Sequence, residues 1–192
     1  MIENVVFFLE GPSEKDFLEG LWPTVMPAHI APHFQVFQGK QDLEKQLVRR
    51  MKHWLKPNSR FIVMRDQDSG DCTDIKARLR RLCDEAGQPA AVIRIACREL
   101  ETFFVGDWAA IAAGFGKPAL AAQAKKAKYR TPDELGNPAE EIKRHLAIYQ
   151  KREGARKIAP HLKAVNNKSP SFRVLMQTLE DMAKEQCPAP LS

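Results

Sequence analysis

Five apolar residues in succession, Val5-Val6-Phe7-Phe8-Leu9, run straight into Glu10-Gly11-Pro12-Ser13. A run this short, rich in β-branched and aromatic residues, reads as a strand buried on both faces, followed by a tight turn. Phe61-Ile62-Val63-Met64 repeats the pattern and ends in Arg65-Asp66-Gln67-Asp68-Ser69-Gly70. Strands with no polar face belong in a parallel sheet covered by helices on both sides.

The segments between them supply those helices. Ser13 is expected to cap a helix whose apolar face is Phe17, Leu18, Leu21 and Trp22. His33 to Phe37 alternates as a second strand. Asp42 to Leu55 carries Leu43, Leu47, Met51, Trp54 and Leu55 at helical spacing. Thr73 to Glu85 forms a third helix that Gly87 closes, and Ala91 to Ile95 a fourth strand. The order β-α-β-α-β-α-β predicts an α/β fold with a mostly parallel four-stranded sheet and right-handed crossovers. Beyond Cys97 the pattern is helical: Glu99 to Phe104, Trp108 to Ala113, Pro138 to Gln150 and Phe172 to Lys184. The expected organisation is an α/β core over 1–105, a helical extension over 106–187 packed on it, and a frayed tail over 188–192.

With 192 residues and 44% hydrophobic content, the chain can bury one full core. Its net charge of +6 favours polyanionic partners. The four cysteines form no C-x-x-C pair, which argues against structural zinc. No stretch approaches the roughly 20 apolar residues of a membrane helix, and no secretory signal is visible. A cytoplasmic protein with free thiols is expected.

Parallel sheets place their sites at the carboxyl ends of the strands. Glu10 falls there on the first strand, and Asp66 and Asp68 on the third. Two carboxylates two residues apart point to one side if the chain is still extended. Like charges removed from water repel, and a divalent cation relieves both costs. Mg²⁺ or Mn²⁺ suits such hard oxygen ligands, and Glu10 serves as a further ligand or a general base. Glu99 and Glu101 supply another acidic pair, able to hold a second ion. Two ions about 4 Å apart stabilise both the attacking and the leaving oxygen of a phosphodiester displacement. A D-x-D also makes a turn, with Asp71 or Thr73 capping the next helix, and two glutamates are common on exposed helical turns.

These residues resemble the Toprim superfamily, whose pattern is a glutamate after the first strand and a D-x-D after the third. Phe8-Leu9-Glu10-Gly11-Pro12-Ser13-Glu14 is similar to the version in OLD-type nucleases. The resemblance is closer still to a bacterial family called domain of unknown function 4276. It rests on the first motif, Asp66-Gln67-Asp68, Arg98-Glu99-Leu100-Glu101-Thr102-Phe103-Phe104, Tyr149-Gln150-Lys151 and Ser169-Pro170-Ser171-Phe172. It implies a Toprim-like fold, nuclease activity, and an ATPase partner in a phage-defence setting. A third acid of an extended D-x-D-x-D pattern would fall at Gly70, whereas Asp71 lies one residue later. Glu14 and Asp71 are therefore secondary candidates.

Lys151 is either a contact for phosphate and developing charge or a solvated lysine at a helix end. The run Lys125, Lys126, Lys128, Tyr129 and Arg130 either tracks a phosphate backbone, with Tyr129 stacking on a base, or is a solvated loop. The leading expectation is a Mg²⁺- or Mn²⁺-dependent nuclease acting on DNA or RNA, with a homodimer allowed. The alternatives are a regulatory metal-binding adaptor for an ATPase and another metal-dependent phosphoryl transfer.

Overall fold

A computed structural model describes residues 1–185, so the expected tail over 188–192 and Cys187 lie outside the described residues. The elements are β1 (Asn4–Leu9), α1 (Pro12–Val25), β2 (Ala31–Val36), α2 (Lys40–Lys52), β3 (Ser59–Asp66), α3 (Cys72–Glu85) and β4 (Val92–Ala96). Helices α4 (Glu101–Val105), α5 (Trp108–Gly114), α6 (Pro138–His145), α7 (Lys151–Ile158) and α8 (Pro170–Lys184) follow, joined partly by 3₁₀ turns. The four strands are all parallel, in the order β2-β1-β3-β4. The fold is Toprim-like. Among the described residues no helix is long and apolar enough to cross a membrane.

The solid apolar run of β1 is explained by its central place. Val6 and Phe8 pack with Leu43, Leu47, Met51 and Leu79 of α2 and α3. Val5, Phe7 and Leu9 face the other way, into a core shared with α1 and the later helices. Phe17 of α1 lies 5.7 Å from Phe103, which lies 5.4 Å from Phe172 of α8. The chain leaves β1 toward β2 but returns past it to β3. The order in which the chain fills the sheet therefore reverses between β1 and β3, where parallel sheets open a crevice at their carboxyl edge. Glu10 follows β1 and Asp66 ends β3, so both border that crevice.

Three local expectations are corrected. Gly11, not Ser13, stands at the N-cap of α1, because Pro12 takes the first helical position, where its missing N–H costs nothing. Helix α2 stops at Lys52, which leaves Leu55 exposed and Trp54 in a loop, donating to Ser59 Oγ at 2.8 Å. The segment from Pro138 to Gln150 is not one helix. Leu146 N–H closes α6 onto Ile142 O and Lys143 O, and a turn carries Tyr149 inward before α7 begins at Lys151. That turn allows Tyr149 and Lys151 to reach the sheet edge.

Candidate active site

The site starts where β1 ends. Glu10 N–H still donates to Met64 O at 3.4 Å, and Glu10 O accepts from Gly39 N–H at 2.9 Å. With its backbone held on both sides, Glu10 turns its carboxylate toward β3. Its Oε2 accepts from Asp66 N–H at 3.3 Å and lies 3.7 Å from Arg65 Nε. Burial raises the Glu10 pKa; Arg65 opposes this and the Asp68 charge adds to it.

One turn into α1, Glu14 is 3% exposed. Helical side chains lean toward the N-terminus, which returns this carboxylate to the rim beside Glu10. A Cβ at Gly11 would come to 3.3 Å from Glu14 Oε2, so the small residue gives the carboxylate room. Ser13 Oγ donates to the same oxygen at 3.2 Å. Burial, then the charges of Glu10 and Glu101, hold the Glu14 pKa high.

Asp66 sits at the centre. Its Oδ1 is buried and accepts no hydrogen bond. Burial lifts its pKa well above the ordinary aspartate value, and the charges of Glu14, Glu101 and Glu10 lift it further against Lys151. Asp68 departs from the expected geometry. Its φ is +55°, so the chain is no longer extended and the two aspartates do not form a same-side pair. A turn closed by Gly70 N–H on Gln67 O, 3.1 Å, imposes this. Asp68 N–H also donates to Arg98 O at 2.8 Å, and Arg98 is itself left-handed at φ +65°. Non-glycine residues in this region carry strain and cluster at functional sites. The Asp68 carboxylate meets Lys40 at 2.6 Å and bears on Glu10 rather than on Asp66.

Glu101 opens α4 at 1% exposure, not on the exposed turn the sequence allowed. Its Oε1 accepts from Tyr149 O–H at 2.9 Å. Its Oε2 lies 3.4 Å from Lys151 Nζ without hydrogen-bond geometry and has no other partner. Burial raises its pKa against the pull of Lys151. Glu99 is more committed: Oε1 accepts from Ala139 N–H at 3.0 Å and Oε2 from Lys151 Nζ at 2.7 Å. Lys151 therefore points at the acids. Burial works against its charge, but Glu101, Glu99 and Asp66 outweigh it and hold its pKa above the usual lysine range. Asp16, 4% exposed, binds Arg152 at 2.6 Å and Arg156 at 3.3 Å, which fixes α7 on α1 and Lys151 over the rim.

Two candidates are used elsewhere. Asp71 caps α3, its Oδ1 accepting from Thr73 N–H at 2.8 Å and Asp74 N–H at 3.0 Å. Tyr129 does not offer its ring to a base: it is fully buried, packed 4.8 Å from Trp108, and donates to Glu141 Oε2 at 2.8 Å. Lys128 joins the same carboxylate at 2.6 Å. Lys125, Lys126 and Arg130 are exposed. Glu14, only a secondary candidate in the sequence, lies buried beside Glu10, and its spacing of four from Glu10 was the available signal. Sequence reasoning missed Tyr149 as the partner of Glu101, for which no local signal exists.

Among the described residues no three His, Cys, Asp or Glu side chains already form a cage for an ion. The donor set nevertheless fits a hard divalent cation. All its members are carboxylates, and a buried Asp66 oxygen lacks a partner beside Glu14, Glu101 and Glu10.

The fold is similar to that of the C-terminal region of the Burkholderia pseudomallei OLD protein, with a TM-score of 0.56 and 16% identity. The match covers 95% of this chain and 99% of that one. No curated protein matches the chain. The model of the family described as Domain of unknown function (DUF4276) matches residues 9–180, and the chain belongs to that family.

Proposed function

We propose that this chain is a Mg²⁺- or Mn²⁺-dependent nuclease. The observation that carries the reading is Asp66 Oδ1, buried without a partner and surrounded by the carboxylates of Glu14, Glu101 and Glu10. Like charges crowded around a buried, unpaired oxygen burden a folded core, and a divalent cation relieves that burden. Asp66, Glu14 and Glu101 would hold one ion, and Glu10 with Asp68 a second. Bound there, the ions supply Lewis-acid stabilisation of charge on phosphodiester oxygens.

The chain's own residues do the rest. Glu10, its pKa raised by burial, is suited to take a proton from the attacking water. Lys151 keeps its charge and is placed to stabilise developing negative charge. Tyr149 orients Glu101, and Arg65 orients Glu10. Exposed Lys125, Lys126 and Arg130 are assigned to phosphate contact. The likeness in fold to the OLD region supports the reading; an ATPase partner belongs to the proposal on the family resemblance alone.

The test is cleavage of single- and double-stranded DNA and RNA with Mg²⁺ or Mn²⁺, with and without chelator. Asp66→Asn and Glu101→Gln are expected to abolish cleavage while the protein stays folded. Retention of wild-type cleavage by Asp66→Asn would overturn the proposal.

A further inference from the structure

Two clefts flank the turn that carries Asp68, and their charges differ. One, about 310 Å³, is lined by Asp68, Arg98, Glu99 and Asn137 among others, two carboxylates against one cation. The other, about 290 Å³, is lined by Lys40, Arg65, Arg78, Glu44, Gln67 and Ser69 among others, three cations against one carboxylate. Its floor is rigid. Arg65, 4% exposed, donates to Asp66 O at 3.0 Å and to Glu44 Oε1 at 2.8 Å. Glu44 Oε2 holds Arg78 at 3.3 Å, so one carboxylate draws two guanidinium groups to the same wall. The wall adjoins the acids: Arg65 lies 3.7 Å from Glu10, and Lys40 2.6 Å from Asp68. Helix α2 starts at Lys40 without a side-chain cap, which adds the positive end of a helix dipole.

We propose that this second cleft seats a backbone phosphate of the nucleic-acid strand next to the scissile one, with Arg78 as its principal contact. The strand then approaches the acids from the side of α2 and α3, not from the side of Arg98 and Glu99. Guanidinium groups suit this role because their planar fork meets two phosphate oxygens at once. Arg78, half-exposed on α3, spends only one guanidinium nitrogen on Glu44 and keeps its other N–H groups for a ligand. The assignment rests on the nuclease reading, but binding measured without metal tests it separately.

The experiment is fluorescence anisotropy of labelled single-stranded DNA and RNA oligonucleotides in chelator across a series of salt concentrations. Arg78→Ala is expected to raise Kd about tenfold at low salt and to reduce the slope of log K against log salt by about one. Arg78→Lys should restore the slope and recover part of the affinity. Arg173→Ala removes the same charge from the exposed face of α8 and should change neither. Where cleavage is measurable, Arg78→Ala should raise KM and leave kcat intact. Binding that depends on Arg78 without any cleavage would uphold the cleft and sink the nuclease reading. An unchanged Kd and slope in Arg78→Ala, or a loss confined to Arg98→Asn, would overturn the cleft.

Discussion

Replacing Asp66 by asparagine is expected to make the metal-free protein more stable, an unusual result for a change at a buried polar residue. The Asp66 carboxyl is buried, its Oδ1 has no hydrogen bond, and its neighbours Glu14, Glu101 and Glu10 are of like charge. A buried polar atom left unpaired costs about 1–3 kcal/mol. Asparagine keeps the shape, removes the charge, and brings N–H donors among carboxylate acceptors. For a domain of this size, the gain corresponds to a rise in Tm of about 2–12 °C.

The pH dependence separates charge from shape. A carboxyl whose folded pKa is raised holds its proton longer in the folded state than in the unfolded one. Its favourable contribution is fully present below the unfolded value of about 4 and is lost as pH rises through the folded pKa. The asparagine advantage should therefore be large at pH 8 and small near pH 4. Adding Mn²⁺ should reverse the order. An ion at a hundred times its Kd stabilises the wild type by about 2.7 kcal/mol. The asparagine variant should respond much less. Differential scanning fluorimetry at both pH values, with and without Mn²⁺, reads all of this. A lower Tm for metal-free Asp66→Asn at pH 8 would refute the reasoning, because it would make the carboxylate a structural acceptor rather than an electrostatic burden.

Other perturbations follow from the same geometry. Tyr149→Phe removes the 2.9 Å bond to Glu101 and should cost about 1–2 kcal/mol by urea denaturation while reducing, not abolishing, cleavage. A Cβ at Gly154 would overlap the Tyr149 ring, so Gly154→Ala should displace that ring, quench the same bond, and lower Tm by several degrees. Asp71→Ala should lose about 1 kcal/mol of stability with the α3 cap and leave the cleavage rate per folded molecule unchanged. Glu10, Glu14, Asp66 and Glu101 all have raised pKa values, so Mn²⁺ affinity measured by calorimetry should rise with pH, with protons released on binding.

The parts of the fold that were legible in the sequence are those fixed by local burial. A central parallel strand must be apolar on both faces, so Val5 to Leu9 and Phe61 to Met64 announced themselves, with the candidate acids Glu10 directly after the first and Asp66 two residues after the second. The geometry of Asp68 was not legible. Spacing of two places side chains together only in extended chain, and the left-handed turn depends on hydrogen bonds to Arg98, thirty residues away. Tyr129 misled for the same reason. A tyrosine in a basic run reads as exposed, but its partners Trp108 and Glu141 come from separate helices. For Glu101 the sequence leaves both a metal ligand and half of an exposed pair open, because nothing in its neighbourhood announces Tyr149 or Lys151 above it.

The charges at the rim also bear on how the two halves of the chain relate. Of the four carboxylates with raised pKa values, Asp66 and Glu101 feel Lys151 of α7 and Glu10 feels Arg65 and Lys40, yet burial outweighs these cations. Buried like charges with so little compensation are a poor route to stability, since apolar residues of similar volume would serve a core better. Under the proposed function, what such an arrangement provides is affinity for a cation, at the crevice between β1 and β3. The counter-charge is held there by Asp16 on α1, which anchors Arg152 and Arg156, and by the close approach of Tyr149 to Gly154. A division at residue 105 would leave Glu10, Glu14, Asp66 and Glu101 on one piece and Lys151 and Tyr149 on the other. In the proposed function the helical extension is therefore part of the site's chemistry and not only a cover for the apolar face of β1.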